Sequence, residues 1–504
     1  MFELLLQGFA SLLDPLLLLL LVGAVAIGIV VGAMPGISPS LGVAIASPLT
    51  FVFDPFTGIS CLLGIYIGAV FGGSIPATVI GIPGSAMAVT TVFDGYPMGR
   101  KGQAGLALGL STISSFIGGV LASLLLILLA YPISQFALSL GPREYCAIAV
   151  LALMAVASLS GGSFLKGAIA CLIGLFLATV GLDEINGQPR FTQDIPYLMG
   201  GIPFIAVIIG LFAIPEIMQR FERISHRSQP IVQVSKVMPS WPLLRRLIPA
   251  QLRSTGIGTI VGAIPGAGAD VASLISYSQG RNISKYRERF GSGEPEGIAC
   301  SETANSASGV GALIPLLTLG LPGGAVTAVI IGSFMIHGLQ PGPLLMRDHA
   351  PLVYQFFATT VIVNFIVLLI GLPGAKLFSR ALQVKESILL PIILLICIIG
   401  AYALRNNPWD ILVMLGVGVF GYYLAKAGVP RAPIVIGMTL GPIIENEIAR
   451  GLLITRGNYL DFITPISAII WAIALLPLYW PLLRYGFRRF RRRPDSTTST
   501  AEQH

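Results

Sequence analysis

The sequence predicts an all-α polytopic membrane protein of two structural repeats with discontinuous, re-entrant helices. Composition, long apolar stretches and a Pro/Gly motif pair that occurs twice predict it. Of 504 residues, 54% are hydrophobic and 11% charged, with mean hydropathy +0.84; soluble domains carry roughly 25% charged residues. Apolar stretches lie at 15–32, 56–71, 106–130, 145–159, 168–180, 199–214, 352–372, 388–404, 411–425 and 462–480. A helix needs about 20 apolar residues to cross about 30 Å of hydrocarbon. Several stretches reach that length alone and others with their flanks, so with the broken segments about ten to twelve crossings are expected.

From the N-terminus, no basic region precedes the first apolar run and no small-residue cleavage site follows it, so 15–32 is expected to be a retained anchor and not a removed signal. At 32–36 the chain reads GAMPG, then the small-residue run ISPSLGVAIASP. At 72–88 it reads GGSIPATVIGIPGSAMA, uncharged yet holding Pro76 and Pro83 among four glycines. Proline removes a backbone donor and clashes one turn back, and glycine is a weak helix former. Both segments are expected to break their helices.

The stretch 215–253 is basic: Arg220, Arg223, Arg227, Lys236, Arg245, Arg246 and Arg253 oppose Glu216 and Glu222. The tail RYGFRRFRRRP is basic too. Lys/Arg excess beside membrane segments marks the cytoplasmic side, so both are expected there, an even number of crossings apart. That placement, more than any nucleic-acid role, accounts for the net charge of +8. The expected organisation is a first transmembrane repeat over 1–214, a basic cytoplasmic linker over 215–253, a second repeat over 254–485 and a basic cytoplasmic tail over 486–504.

Beyond the linker the breaks recur in the same order. Residues 262–266 read GAIPG, followed by AGADVASLISYS, and 311–327 read GALIPLLTLGLPGGAVT. Set ungapped on 72–88, Gly, Ile, Pro, Gly, Pro, Gly and Ala coincide. Non-helical backbone at membrane depth is tolerated only where it is buried in protein or lines a wet cavity. Paired broken helices at matching positions are the sequence pointer to a transporter's midplane site, where helix N-termini meet an anion and carbonyls a cation. Inverted repeats are favoured over parallel ones.

The substrate- or ion-binding candidates are Pro35, Gly36, Ser38, Ser74, Pro83, Gly84 and Ser85 in the first half, and Gly266, Asp270, Glu302, Asn305, Ser306, Pro322 and Gly323 in the second. Hydroxyls, amides and exposed backbone bind a carboxylate without a fixed positive charge, although small hydroxyls also pack membrane helices. A carboxylate inside the membrane costs about 3 kcal/mol on insertion scales, so Glu302 and Asp270 are read as functional. No metal is assigned; Na+ could bind at the helix breaks.

Catalytic chemistry finds little support. The five cysteines stand singly with no CxxC, and the four histidines form no H-E-x-x-H. GSGEPEG at 291–297 fits neither phosphate-loop pattern. GAGAD at 266–270 lacks the spacing and partner of an intramembrane aspartyl protease. No enzyme is expected and no cofactor, only Na+ or H+ as coupling ion; a passive organic-anion channel, or less readily an intramembrane enzyme, is the competing reading.

The runs GAMPGISPSLGVAIASPLTF, GIYIGAVFGGSIPATVIGIPGSAMAVTTVFDGYPMGRKGQAG, GAIPGAGADVASLISYS, FGSGEPEGIACSETANSASGVGALIPLLTLGLPGG and HGLQPGPLL resemble the large membrane subunit (TctA type) of bacterial tripartite tricarboxylate transporters. The likeness spans about residues 15–485. It implies a multi-pass secondary transporter of the bacterial inner membrane, driven by an ion gradient and working with a small membrane subunit (TctB type) and a periplasmic solute-binding protein (TctC type). Where the family usually has N-x-PG, this chain has Gly81-Ile82-Pro83-Gly84, and where it usually has a double Asn, this chain has Asn305-Ser306. Amides are thereby lost beside the site, so the implied substrate is a tricarboxylate or related organic acid, with citrate not singled out.

Overall fold

The computed structural model describes residues 2–159, 163–183, 187–222, 237–266, 268–380, 386–403, 405–458 and 461–479. Its helices are α1 (Phe2–Ser11), α2 (Pro15–Ala33), α3 (Pro39–Ala46), α4 (Pro55–Gly72), α5 (Ser74–Val79), α6 (Val89–Met98), α7 (Ala104–Leu138), α8 (Pro142–Leu159), α9 (Phe164–Ala178), α10 (Pro196–Met199) and α11 (Phe204–Glu222). They continue as α12 (Trp241–Ala263), α13 (Gly268–Ile283), α14 (Pro295–Gly311), α15 (Leu313–Leu319), α16 (Ala325–Ile336), α17 (Pro343–Asp348), α18 (Ala350–Phe378), α19 (Glu386–Ala403), α20 (Pro408–Lys426), α21 (Ala432–Ile454) and α22 (Pro465–Ala474). One two-residue antiparallel pair, β1 (Gly181–Leu182) with β2 (Pro189–Arg190), forms a small hairpin.

Seven helical segments among the described residues are long and apolar enough to cross a membrane: Pro15–Ala33, Pro55–Val79, Ala86–Leu138, Pro142–Leu159, Phe204–Glu222, Ala350–Phe378 and Pro408–Lys426. Pro39–Val52, Phe164–Ala178, Ala325–Ile336, Ser387–Ala403 and Pro465–Ala474 are apolar but shorter. Many helices begin with Pro at the first or second position, where the missing N–H costs nothing.

Two helix pairs, α2 with α4 and α12 with α14, pack backbone to backbone. A methyl added at Gly28 would lie 2.3 Å from the Ile65 carbonyl oxygen, and at Gly32 2.2 Å from that of Ala69. In the other pair a methyl added at Gly258 would lie 2.5 Å from the Ala304 oxygen and at Gly262 2.3 Å from that of Ser308. These positions correspond in the ungapped motif alignments, and only small residues allow membrane helices to approach so closely.

The last long helices pack crosswise. α11 lies against α19 and α20, whereas α21 lies against α8 and α9. At the centre, α14 is sheathed by α4, α6, α7, α12 and α13. Every residue from Gly297 to Gly311 is buried, which explains how a sequence as polar as SETANSASG can occupy the interior. In the basic stretch 215–253, α11 continues to Glu222 and α12 starts at Trp241, while 223–236 and the tail 480–504 lie outside the described residues. Arg220, counted in the sequence with the solvated juxtamembrane charges, is instead buried at 7% exposure.

Candidate functional site

The Pro–Gly segments interrupt their helices in the same way. α2 stops at Ala33, Met34 is extended (φ −84°, ψ 114°) and Gly36 turns left-handed at φ 82°. α12 stops at Ala263, Ile264 is extended (φ −82°, ψ 116°) and Gly266 has φ 80°. The second interruption of each half turns at Gly81 (φ 71°) and Gly320 (φ 72°). A left-handed residue ends a helix at little cost only when it lacks Cβ.

Within each half the two interruptions meet through one backbone bond. Gly36 N–H donates to the Gly84 carbonyl at 3.2 Å, and Gly266 N–H to the Gly323 carbonyl at 2.9 Å. Pro35, Gly36, Pro83 and Gly84 thus form one cluster, and Gly266, Pro322 and Gly323 another. Ser38 caps α3, accepting from Leu41 N at 3.3 Å and sharing a hydrogen bond with Ser40. Ser74 and Ser85 flank Gly73 and are buried, and neither hydroxyl has a partner. Thr78, Thr90, Thr259 and Thr303 hydroxyls and Asn305 Oδ1 are likewise buried and unpartnered. Buried polar groups are nearly always satisfied, so such a set points to a ligand, ion or water. Asp270 lies on α13, with its side chain outside the described residues.

Glu302 and Asn305 belong to α14 but address the first half. Thr91 Oγ1 on α6 donates to Glu302 Oε1, and Ser115 Oγ on α7 to Oε2 at 3.1 Å. Asn305 Nδ2 reaches the Val70 carbonyl on α4 at 3.4 Å, and Tyr66 Oη on α4 donates to the Gly309 carbonyl at 3.2 Å. Ser273 on α13 donates to Met87 O, just past the second interruption of the first half, at 3.3 Å. Ser306 is buried on α14. The polar helix of one half is therefore docked on the broken helix of the other.

Two contacts were missed by sequence reasoning. Asp94 is wholly buried in α6, and its Oδ1 accepts from the N–H groups of Gly291 (2.9 Å), Gly293 (2.7 Å) and Glu294 (2.8 Å), while Oδ2 accepts from Tyr277 Oη at 2.8 Å. The glycine-rich loop before α14 is thus an anion nest filled by the protein's own carboxylate. A Cβ on Gly297 would sit 2.1 Å from Asp94 Oδ2. These partners lie 197–200 residues further along the chain, so no local signal announces them. The other contact is Arg220, which donates to the Pro35 carbonyl and pairs with Glu216 Oε1 at 3.0 Å. Nothing in a charge count marks it from the other basic residues of 215–253.

Among the described residues no group of three or more His, Cys, Asp or Glu is placed to hold a metal. Beside the Asp94 clamp an open groove of about 400 Å³ is walled by Phe93, Tyr96, Tyr277 and Phe290, with Arg281 at its edge.

A multi-pass helical protein whose broken helices pair in the interior, with unpartnered polar groups around them, belongs to the class of membrane transporters. Residues 17–436 match the Tripartite tricarboxylate transporter TctA family, and this chain belongs to that family. It is similar to an uncharacterized 52.8 kDa protein in the TAR-I ttuC' 3'region of Agrobacterium vitis, 38% identical over 469 residues and covering 93% of each chain. It is also similar to an uncharacterized protein in the TAR-II ttuC' 3'region of the same organism, 36% identical over 227 residues, covering 45% of this chain and 94% of that one. The protein is a multi-pass inner-membrane component of a transport system, not an enzyme.

Proposed function

We propose that the chain is the permease subunit of a tripartite, ion-gradient-driven secondary transporter. It imports tricarboxylates or related organic acids handed over by a periplasmic solute-binding protein (TctC type), alongside a small membrane subunit (TctB type). The carrying observation is the matched pair of interruptions, each closed by a single bond between its two Pro–Gly turns. Broken helices present N–H groups to a carboxylate and carbonyls to a cation. We read 1–214 and 254–485 as inverted repeats, the shorter apolar helices helping to complete about ten to twelve crossings. The linker 215–253 and the tail 486–504 face the cytoplasm because of their basic excess.

The site joins the Pro35–Gly36 and Pro83–Gly84 turns, with Ser38, Ser74 and Ser85, to Glu302, Asn305 and Ser306. The second-half turns at Gly266 and Pro322–Gly323, with Asp270, complete it. Uptake of labelled citrate, malate and succinate in cells tests the assignment. Accumulation should require all three components and collapse when the ion gradients are dissipated. Full uptake by this chain alone would overturn the partner assignment, and flux indifferent to every gradient would replace the reading with a passive channel.

A further inference from the structure

We infer that Glu302 is the proton carrier that couples the ion gradient to transport. This deepens the reading of the chain as a secondary transporter and rests on it. Glu302 is fully buried, and among the described residues no Lys, Arg or His pairs with it. Its oxygens meet only neutral groups: the Thr91 and Ser115 hydroxyls, with the Asn305 amide one turn on near enough to interact. An ionised carboxylate in such a place lacks any compensating charge, and a buried group in that position takes up a proton in preference to staying charged. A proton removes the charge without asking for five or six oxygen ligands. The Thr91 and Ser115 hydroxyls donate to the ionised carboxyl, and either can turn to accept its hydrogen once it is protonated, so the group gains and loses a proton in place.

The surrounding charges leave that proton to Glu302. On α6, Asp94 is held by three amides and Tyr277 of α13, and Tyr96 lines the outer groove. On α12, Arg246 faces Glu294 and Arg253 faces Glu296 and Cys300, at the start of α14 and its second turn, while Arg245 is exposed. On α4, Tyr66 donates to Gly309 O and Cys61 is partly exposed; on α7, Tyr131 is exposed; on α13, Arg281 is exposed. Glu302 also sits where the two halves touch, its bonds running from α14 to α6 and α7. A relative movement of the halves would strip the Thr91 and Ser115 bonds and admit water, the condition under which the proton leaves.

The test has two arms on the full chain with its partner subunits. Infrared spectra of the reconstituted protein at neutral pH should contain a carboxylic-acid C=O band that is missing in Glu302→Gln. This arm needs no substrate. In proteoliposomes, a one-unit pH gradient is worth about tenfold accumulation per coupled proton. Glu302→Gln, which mimics the protonated acid, should lose that tenfold dependence on the pH gradient. The proposal is overturned if the variant lacks no acid band, if it accumulates under a pH gradient like wild type, or if accumulation follows only a Na+ gradient through Glu302. Absence of gradient-driven uptake in wild type would instead refute the secondary-transporter reading, with the infrared arm still deciding the state of Glu302.

Discussion

Helices α4 and α14 occupy matching places in the two motif alignments, and their chemistry is opposite. Both end in a kink before an I-P segment, both contact a glycine-bearing helix at backbone distance, and Cys61 of one aligns with Cys300 of the other. Yet Leu63 stands where α14 has Glu302, and Tyr66 where it has Asn305. The bonds that cross from half to half diverge likewise. Tyr277 Oη meets Asp94 Oδ2 at 2.8 Å, whereas at the corresponding positions Ser47 and Ser333 join hydroxyl to hydroxyl at 2.5 Å. The Pro–Gly turns differ in their seats too: Gly36 lies under Arg220 and Glu216, while Gly266 lies 2.5 Å, at its would-be Cβ, from Val156 Cα. A shared backbone with unlike side chains teaches that pairing of the broken helices is a structural requirement common to both halves, while the charged side chains around it are free to differ.

That contrast breaks first if the interruptions are dispensable. Replacing Pro83–Gly84 or Pro322–Gly323 by Ala–Ala raises helix propensity by about 3 kcal/mol for Pro and about 1 for Gly, and should abolish uptake normalised to inserted protein in either half. Close contact opposes the change as well: a Cβ at Gly84 falls 2.2 Å from Gly32 O, and at Gly323 2.7 Å from Ala312 Cα. The first-half variant should therefore be the less thermostable. Wild-type transport by both variants would reduce the interruptions to ordinary kinks.

The crossing bonds come next. Asp94→Ala strands three amides and a tyrosine hydroxyl, each buried unmet donor costing about 1–3 kcal/mol, so detergent-solubilised protein should melt well below wild type. Ser333→Ala removes one neutral bond between the halves, about 1 kcal/mol, the other bond of its hydroxyl being a back-bond to Val329 O within α16. Equal melting shifts would erase the asymmetry. At the turns, Arg220→Ala removes the guanidinium that pairs with Glu216 and bonds the Pro35 carbonyl and should cost about 3–5 kcal/mol, against about 1–2 kcal/mol for the two carbons lost in Val156→Ala. Denaturation of the two variants side by side measures the difference. The smallest effect sharpens the polar helix itself: Asn305→Ala should weaken substrate or ion affinity about 5–10-fold, the worth of one hydrogen bond. Thr112→Ala, whose hydroxyl only back-bonds Leu108 O at 2.8 Å, should leave affinity unchanged.

The interruptions were legible in the sequence because proline and glycine act on their own backbone, with no distant partner needed. Placing Gly36 with Gly84, and Gly266 with Gly323, was not legible, since one backbone bond carries no residue code. Apolar runs located most long helices but misjudged ends: 106–130 is the core of α7, Ala104–Leu138. α14 could not be found by apolarity at all, because its polar side chains are covered by neighbours. Glu302 and Asn305 were legible as costly residues, but their partners Thr91, Ser115 and Val70 depend on the packing of α14 against α4, α6 and α7. Arg220 and Asp94 escaped for the same reason: each is defined by what it touches across the fold.

The burial of α14 also bears on how the chain is made. A segment carrying Glu302, Thr303, Asn305 and several serines would partition poorly into lipid as it leaves the ribosome, the carboxylate alone costing about 3 kcal/mol. Its polar groups find shelter only among α4, α6, α7, α12 and α13, and three of those helices are synthesised in the first half. Membrane integration of the second half must therefore wait for the first to be assembled, which makes the order of synthesis a condition of correct insertion.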